Sequence, residues 1–394
     1  MENSQLALTC TNADVLRGGA FDNRPLGMAN GLITEGSNGP VLNLAGYYVL
    51  PGIIDLHGDA FERHLFPRPT APFSPEIGLR STERELLANG ITTAYLAQSW
   101  SWEGGFRSAE ATENLMKAIA DFRAQMIADM RVQVRFEYYL TDQGPALLAA
   151  AKQHGVDYIV FNNHLDEGLA MAEKNRDSLA NWAAKNGRSA DEHLALMREM
   201  KAREADVSRF VRQLGEKLAA NDIESGSHDD GDANTRRTFH EANARICEFP
   251  TSFEAAQAAK NLGNPILMGA PNVVRGGSQS GNIAATDLIA SDLCDALVSD
   301  YYAPALASAA WVLFDEGNKS LSDAWAMISS NAAKARGLDD RGTLDLGKRA
   351  DVVILHKDTR QIEGTIAMGR IGHATGEFAA RLLNAHISPR EAAA

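Results

Sequence analysis

Short apolar runs alternate with longer amphipathic stretches along most of the chain. Eight apolar runs of strand length lie between residues 48 and 301, and helix-compatible sequence follows each of them. The runs are "YVLPGIIDLH", "TTAYLAQ", "VQVRFEYYL", "DYIVFNN", "DIESGSHDD", "ICEFP", "PILMGAP" and "DALVSDY". Alternation of β and α segments predicts a parallel sheet, and eight such units predict a (β/α)8 barrel.

The segment between residues 165 and 220 breaks the regular alternation. It is rich in Ala, Glu, Lys and Arg, and its apolar residues recur at i, i+3 and i+4. This spacing predicts two or three amphipathic helices, which is more than one βα unit needs. The segment is interpreted as a lid, as a contact between copies of the chain, or as a solvated helical elaboration.

Ionisable side chains collect where the predicted strands end. They are Asp59, Glu62, Glu137, His164, His228, Glu248 and Asp300. In a (β/α)8 barrel, the carboxyl ends of the strands meet at one face and carry the active site. The pattern therefore predicts an active site built from several strands.

The first of these strand ends has the residue types of a metal site. His57 and Asp59 are two positions apart in a strand, so both side chains point to the same side. Imidazole and carboxylate groups together suit zinc, manganese or another divalent ion. On its own the pair is also compatible with a structural hydrogen bond, and the histidines at other strand ends favour the metal.

Composition narrows the classes of function. The 394 residues carry a formal net charge of −13, which argues against a nucleic-acid partner and against an anionic membrane surface. No apolar run approaches the roughly 18 residues of a membrane span, and no secretory signal precedes the first strand. The cysteines Cys10, Cys247 and Cys294 are far apart, which fits a reducing, cytoplasmic setting.

Two long motifs resemble the amidohydrolase superfamily. They are "YVLPGIIDLHGD" near the start and "NAAKARGLDDRGTLDLGKRADVVILH" near the end. The resemblance implies a metal-bearing barrel over residues 51–343. It also implies a small β-sandwich module formed jointly by residues 1–50 and 344–394, where short β-type segments are broken by Gly and Asn.

Six internal motifs are similar to one branch of that superfamily, which hydrolyses α-D-ribose 1-methylphosphonate 5-triphosphate in the carbon–phosphorus lyase pathway. They are "HGDAFERHLFPRP", "GITTA", "SHDD", "EFPTSFEAA", "MGAPNVVRGGSQSGN" and "SDYYAPA". The implied reaction releases pyrophosphate and leaves a ribose 5-phosphate. The chain departs from the branch at Gly58, Asn163 and Gln279, where threonine, aspartate and histidine are usual.

The resemblance implies one or two divalent ions, zinc or manganese, and a set of ligands. The implied ligands are His57, Asp59, Glu137, His164, His228 and Asp300. Asp300 would also take the proton from the attacking water as general base. Because strand 4 has no lysine, a carboxylate has to bridge two metals, and Glu137 is the choice; the alternative is a salt bridge to Arg135.

The remaining candidates support the ligands or bind substrate. Asp229 or Asp230 would orient His228 or cap the next helix, and Glu248 would contact substrate, hold a ligand or be structural. The expected partner is a small phosphorylated molecule, and a homo-oligomer is possible. The residues predicted to contact the phosphorylated molecule are Glu62, Arg63, Arg68, Arg275, Ser278 and Asn282.

Two other functions stay open at this point. The glutamine at position 279 motivates a hydrolase or deaminase of cyclic C–N bonds on the same fold. A catalytically silent scaffold is the third reading, and the ionisable groups at the strand ends argue against it because a silent barrel does not need them.

Overall fold

The computed structural model describes residues 5–68, 71–278 and 281–387. Its strands are β1 (Leu8–Thr11), β2 (Asp14–Arg17), β3 (Ala20–Asp22), β4 (Leu26–Ala29), β5 (Leu32–Thr34), β6 (Val41–Asn43), β7 (Tyr47–Pro51), β8 (Ile53–Gly58), β9 (Ile91–Trp100), β10 (Asp129–Glu137), β11 (Tyr158–Asn162), β12 (Glu224–His228), β13 (Ala244–Glu248), β14 (Ile266–Gly269), β15 (Ala296–Val298), β16 (Val352–His356), β17 (Ile362–Ala367) and β18 (Arg370–Ala374).

The helices alternate with the strands from residue 62 onward. They are α1 (Glu62–Leu65), α2 (Pro75–Ala88), α3 (Ala109–Phe122), α4 (Gly144–His154), α5 (Leu165–Lys174), α6 (Arg176–Lys185), α7 (Ala190–Lys201), α8 (Glu204–Ala219), α9 (Ala233–Glu241), α10 (Phe253–Asn261), α11 (Ala270–Arg275), α12 (Ala285–Ala290), α13 (Ala305–Asp315), α14 (Leu321–Ala326), α15 (Ser330–Ala335) and α16 (Gly376–Ile387). No helix among the described residues is long and apolar enough to cross a membrane.

Strands β8 to β15 form the predicted barrel. They pair in parallel and in chain order, and a parallel bridge between Gly58 and Asp300 joins the two ends of the sheet. All ten residues of β9 are buried, because side chains fill the interior and helices cover the outside. Ile54, Tyr95 and Tyr158 belong to the inner cluster. The (β/α)8 fold predicted from the alternating pattern is confirmed.

The chain ends form two further sheets. One has the order β5-β4-β1-β6, and the other has the order β18-β17-β16-β7-β2-β3. They share a hydrophobic core that is separate from that of the barrel and includes Leu8, Val49, Ile354 and Phe378. In the second sheet β7 pairs antiparallel with β16, so segments from both ends of the chain meet beside the barrel.

The irregular segment folds as α5 to α8, so the predicted count of two or three helices is wrong. Short helices arise because capping residues interrupt the amphipathic pattern. The Asn175 side chain accepts from the Ser178 amide, and Ser189 forms a capping box with Glu192. Helix α8 packs on β12 as the barrel helix, while α5, α6 and α7 pack on one another.

Candidate active site

Three residues with left-handed backbone mark the carboxyl face of the barrel. Asp229, Phe249 and Asp300 have φ angles of 61°, 51° and 55°. They follow β12, β13 and β15, where the chain turns sharply out of the barrel. A positive φ is costly for a residue with a side chain, especially a bulky one, and such conformations cluster at functional sites.

Two histidines, the buried His57 and the partly buried His228, form the centre of the site. One ligand atom of His57, one of His228 and one of Glu248 lie within 4.8 Å of each other. Carboxylates hold the Nδ1 atoms of both rings: Glu248 Oε2 is 2.7 Å from His57 Nδ1, and Asp229 Oδ2 is 2.6 Å from His228 Nδ1. Each Nε2 atom is thereby left as the ligand atom, an arrangement that is usual for metal-binding histidines. These residues fit a divalent ion.

Glu248 is held in place by the barrel interior. Its Oε1 atom accepts hydrogen bonds from Gln133 Nε2 at 2.6 Å and from the Tyr158 hydroxyl at 2.5 Å, while Oε2 faces His57. Burial opposes ionisation, yet the neighbouring His57 imidazole keeps the pKa of Glu248 below its ordinary value. Of the three predicted roles, the geometry matches that of holding a neighbouring ligand.

The two predicted partners of His228 have different surroundings. Asp229 bonds to His228, whereas the Asp230 carboxylate points away and bonds to Ser227 at 2.8 Å and to Arg236 at 3.0 Å. Both Asp230 and Arg236 are completely buried. Asp230 thus makes a structural ion pair beneath the site instead of orienting His228, because the left-handed Asp229 turns the chain between them.

Asp300 connects the last barrel strand to the first. Its amide donates to the His57 carbonyl at 2.8 Å, and its carbonyl accepts from the Asp59 amide at 2.9 Å. Burial raises the pKa of the Asp300 carboxyl above its ordinary value, although the charges of His57 and His228 offset part of this effect. The backbone bonds place this carboxyl group next to the two histidines.

Glu137 and His164 lie together at the other side of the barrel mouth. Glu137 Oε1 accepts from Asn162 Nδ2 at 2.5 Å and from the His164 amide at 3.0 Å, and Oε2 accepts from Trp102 Nε1 at 3.2 Å. The His164 Nδ1 atom is 3.0 Å from Glu137 Oε1 and 3.2 Å from an oxygen of Glu103. Burial opposes protonation of this ring, but Glu137 raises the pKa of His164 to about 9. Protein groups therefore surround both predicted ligands.

Arg135 lies between these two halves of the site. Its side chain points from β10 to the same side as that of Glu137, which follows two residues later in the strand. Its Nη1 atom is 3.6 Å from Asp59 Oδ2, and its Nη2 atom is 3.2 Å from His164 Nε2 and 3.4 Å from Asn162 Oδ1. The alternative reading of Glu137, a salt bridge to Arg135, has no support among the ion pairs of the described residues.

The helices of the irregular segment contact the site through Glu103. This buried residue follows β9 and accepts a hydrogen bond from Trp182 Nε1 of α6 at 2.8 Å. Arg188, in the turn after α6, donates to the Glu103 carbonyl. His164 and Arg107 also bond to the carboxylate, and although burial works against it, they hold the pKa of Glu103 well below its usual range. The α5–α7 segment is therefore attached at the rim of the barrel mouth.

A cavity of about 330 Å³ opens beside the two histidines. Its wall contains Arg135, His228, Asp229, Phe249 and Asp300 from the strand ends. The predicted substrate contacts Arg275, Ser278 and Asn282 line it from the end of α11 and the glycine-rich loop that follows. Gln279, the departure that motivated the C–N hydrolase reading, lies outside the described residues.

The predicted contacts from the opening motif lie elsewhere. Arg63 pairs with Glu85 on α2 and is half exposed, because the short helix α1 turns it toward that helix. Arg68 is exposed, and among the described residues neither arginine is part of the cavity wall. Glu62 is 3.8 Å from Arg107; burial raises the pKa of Glu62 to about 7, and nearby Asp59 adds to the effect.

Sequence reasoning missed Glu103, Arg107, Trp182 and Phe249 as parts of this region. Glu103, Arg107 and Trp182 lie outside the motifs, and Phe249 lies within "EFPTSFEAA" but has no group that suggests chemistry. Arg135 was considered only as the partner of Glu137, although the two-residue spacing already placed it on the same side.

The sequence and the fold agree with those of known proteins. A model of the amidohydrolase family matches residues 78–371. The α-D-ribose 1-methylphosphonate 5-triphosphate diphosphatase of Escherichia coli (strain K12) is 33% identical over 337 residues, which is 80% of this chain and 85% of that protein.

Solved structures with low sequence identity share the fold. N-acetylglucosamine-6-phosphate deacetylase from Pasteurella multocida superposes with a TM-score of 0.61 at 11% identity, covering 93% of this chain and 99% of that one. The β-aspartyl dipeptidase of Fervidobacterium islandicum AW-1 gives a TM-score of 0.57 at 14% identity, covering 93% and 97%. With its matching barrel and the family model spanning most of its length, the chain belongs to the amidohydrolase family and is a hydrolase of that superfamily.

Proposed function

We propose that the protein is a metal-dependent diphosphatase that cleaves a phosphoanhydride bond in a ribose 5-triphosphate, releasing pyrophosphate and leaving the 5-phosphate. The observation that carries the proposal is the composition of one cavity wall. The wall contains His228, a candidate metal ligand, and Asp300, the candidate general base. The arginines Arg135 and Arg275 belong to the same wall. A site for an uncharged cyclic amide has no use for two guanidinium groups.

The ion would be held by His57 and His228, whose Nε2 atoms are the available ligand atoms. A divalent ion there supplies Lewis-acid activation of water and charge neutralisation near the reacting phosphorus. Glu248 and Asp229 keep the two imidazoles in the tautomer with the proton on Nδ1, so that Nε2 carries the lone pair.

The chain's own groups do the rest of the chemistry. Asp300 accepts the proton of the attacking water as general base, and the backbone bonds to His57 and Asp59 fix its position. Arg135 and Arg275 neutralise charge on the phosphoryl oxygens, for which guanidinium groups are suited geometrically. Ser278 and Asn282 offer polar side chains on the same wall.

The relative from Escherichia coli supports the choice of substrate class. Its name describes a diphosphatase that acts on a ribose 1-methylphosphonate 5-triphosphate, and its 33% identity spans most of both chains. The arginines of the cavity wall fit an anion of this type.

The test measures pyrophosphate release from a panel of ribose 5-triphosphates in the presence of added Mn²⁺ or Zn²⁺, and in parallel ammonia release from cyclic amides and amines. We expect pyrophosphate from at least one triphosphate and no ammonia. Absence of turnover of every triphosphate, or turnover of the C–N substrates alone, overturns the proposal.

Two arginine variants provide a matched comparison. Arg275→Met removes a guanidinium from the cavity wall, and we expect kcat/KM for the triphosphate to fall about 10- to 100-fold, in line with the loss of a charged hydrogen bond. Arg63→Met removes a guanidinium from the surface ion pair with Glu85, and kcat/KM is expected to stay within about twofold of that of the unmodified protein.

A further inference from the structure

A fixed positive charge, that of Arg135, lies among the residues predicted as metal ligands on one side of the barrel mouth. Arg135 is 7% exposed, and its guanidinium lies among Asp59, Asn162 and His164. It also forms part of the cavity wall, beside His228 and Asp300. A buried guanidinium is costly unless it is used or paired, and its Nε atom has no hydrogen-bond partner among the residues that the structure describes.

Protein groups already occupy the ligand atoms on this side of the mouth. The His164 ring has a carboxylate oxygen at Nδ1 and the Arg135 Nη2 atom, a donor, at Nε2. The guanidinium therefore stands in front of Nε2. Both oxygens of Glu137 accept hydrogen bonds from Asn162, Trp102 and the His164 amide. A second ion bound there would have to displace the guanidinium and break several of these bonds.

His57 and His228 differ from His164 in the hydrogen bonds of their ring nitrogens. Each Nδ1 atom of His57 and His228 is bonded to a carboxylate, while no hydrogen bond of either Nε2 atom occurs among the described residues. Their ring centroids are 5.4 Å apart. The ligand atoms that can accept an ion are thus on one side of Arg135, and the saturated ones are on the other.

We infer that Arg135 takes the place of a second metal ion, so that the protein binds one divalent ion, at His57 and His228, and presents the guanidinium as the second positive charge facing the phosphorylated substrate. The inference rests on the metal-dependent hydrolase proposed above. It assigns His164 to the support of Arg135, and Glu137 to the support of His164, and neither of them to metal binding.

The experiment counts metal ions. Purified protein is saturated with Mn²⁺, freed of excess by desalting, and analysed by mass spectrometry of the metal and by electron paramagnetic resonance. We expect one ion per chain and the spectrum of an isolated Mn²⁺. Two ions per chain with an exchange-coupled spectrum overturn the inference and leave the proposed function intact, whereas no bound metal overturns the proposed function as well.

Variants identify the groups responsible. Arg135→Met removes the charge and frees His164 Nε2, so we expect a second equivalent of Mn²⁺ to bind; a folded variant that stays at one ion contradicts the inference. Arg275→Met is the matched control, because it removes an arginine from the same cavity wall, and it is expected to stay at one ion.

Histidine variants test the two sides separately. His164→Asn is expected to keep one ion, and His228→Asn is expected to lose it. Loss of the ion from a folded His164→Asn protein overturns the assignment of His164. Circular dichroism establishes folding in each case. If His164→Asn fails to fold, His164→Gln replaces it, and retention or loss of the ion has the same meaning.

Discussion

The bond between Glu248 and His57 offers the sharpest test of the site. In Glu248→Gln, one carboxylate oxygen becomes an amide nitrogen with two protons. Gln133 Nε2 is a donor and faces Oε1, so the amide keeps its oxygen there and turns its nitrogen toward His57 Nδ1. The imidazole then has to accept at Nδ1 and carry its proton on Nε2. In that tautomer the ligand atom has no lone pair for a metal.

The expected loss of metal affinity follows from the role of carboxylates that orient metal-binding histidines. Loss of a carboxylate that orients a metal-binding histidine costs about 10- to 100-fold in metal affinity, and the tautomer switch places this variant near the upper value. This corresponds to about 2.8 kcal/mol of binding free energy. The stability of the fold is expected to fall by only about 1–3 kcal/mol, because two of the three hydrogen bonds are retained.

Affinity is measured by competition of Zn²⁺ or Mn²⁺ with a chromophoric chelator, and stability by thermal unfolding of metal-free protein. Asp230→Asn is the matched control: it also replaces a buried carboxylate near the site, but its partner is Arg236. We expect it to lose about 3 kcal/mol of stability, since a buried arginine is left without its charge partner, and to keep its metal affinity. A folded Glu248→Gln protein with unchanged affinity would refute the reasoning.

Three further outcomes are expected. Asp300→Asn should lower kcat by about 10²- to 10⁴-fold with an unchanged circular dichroism spectrum, since it removes the general base; a smaller loss in the turnover assay counts against that role. In metal-free protein the pKa of His164 is raised from 6.5 to about 9, so its contribution, on the order of 2–3 kcal/mol, is fully present below pH 6.5 and is lost as pH rises through 9. Thermal unfolding between pH 6 and 10 should show this decline, and His164→Asn should remove it. Trp182→Phe deletes the donor to Glu103, so limited proteolysis should cut the α5–α7 segment about 5- to 10-fold faster; equal rates would mean that the contact does not hold the segment.

The barrel was predictable because its signals are local. Each strand is a short apolar run before an amphipathic helix, and strand ends converge by the geometry of the fold. For the same reason His57, His228 and Asp300 could be placed together before any contact was known. Both ends of the chain were likewise read as β segments from their patterns.

Other parts of the site depend on contacts that no local pattern encodes. Arg63 lies next to the opening motif in sequence, yet the first turn of α1 directs it to Glu85 and away from the cavity. Glu103 lies in a loop without a motif, and its partner Trp182 comes from the helical segment far along the chain. Which of two adjacent aspartates faces His228 was decided by one left-handed residue.

The pairing of β7 with β16 has a consequence for the order in which the molecule is built. Tyr47 is hydrogen-bonded in register with His356, so the entire barrel sequence lies between two neighbouring strands. Closing so long a loop is slow, and during synthesis β7 emerges well before its partner exists. Strand β8 begins directly after β7 and carries His57 at its other end. His57 and His228 are therefore expected to reach their final register only when the last strands have been made, so that a truncated nascent chain does not yet hold the proposed ion.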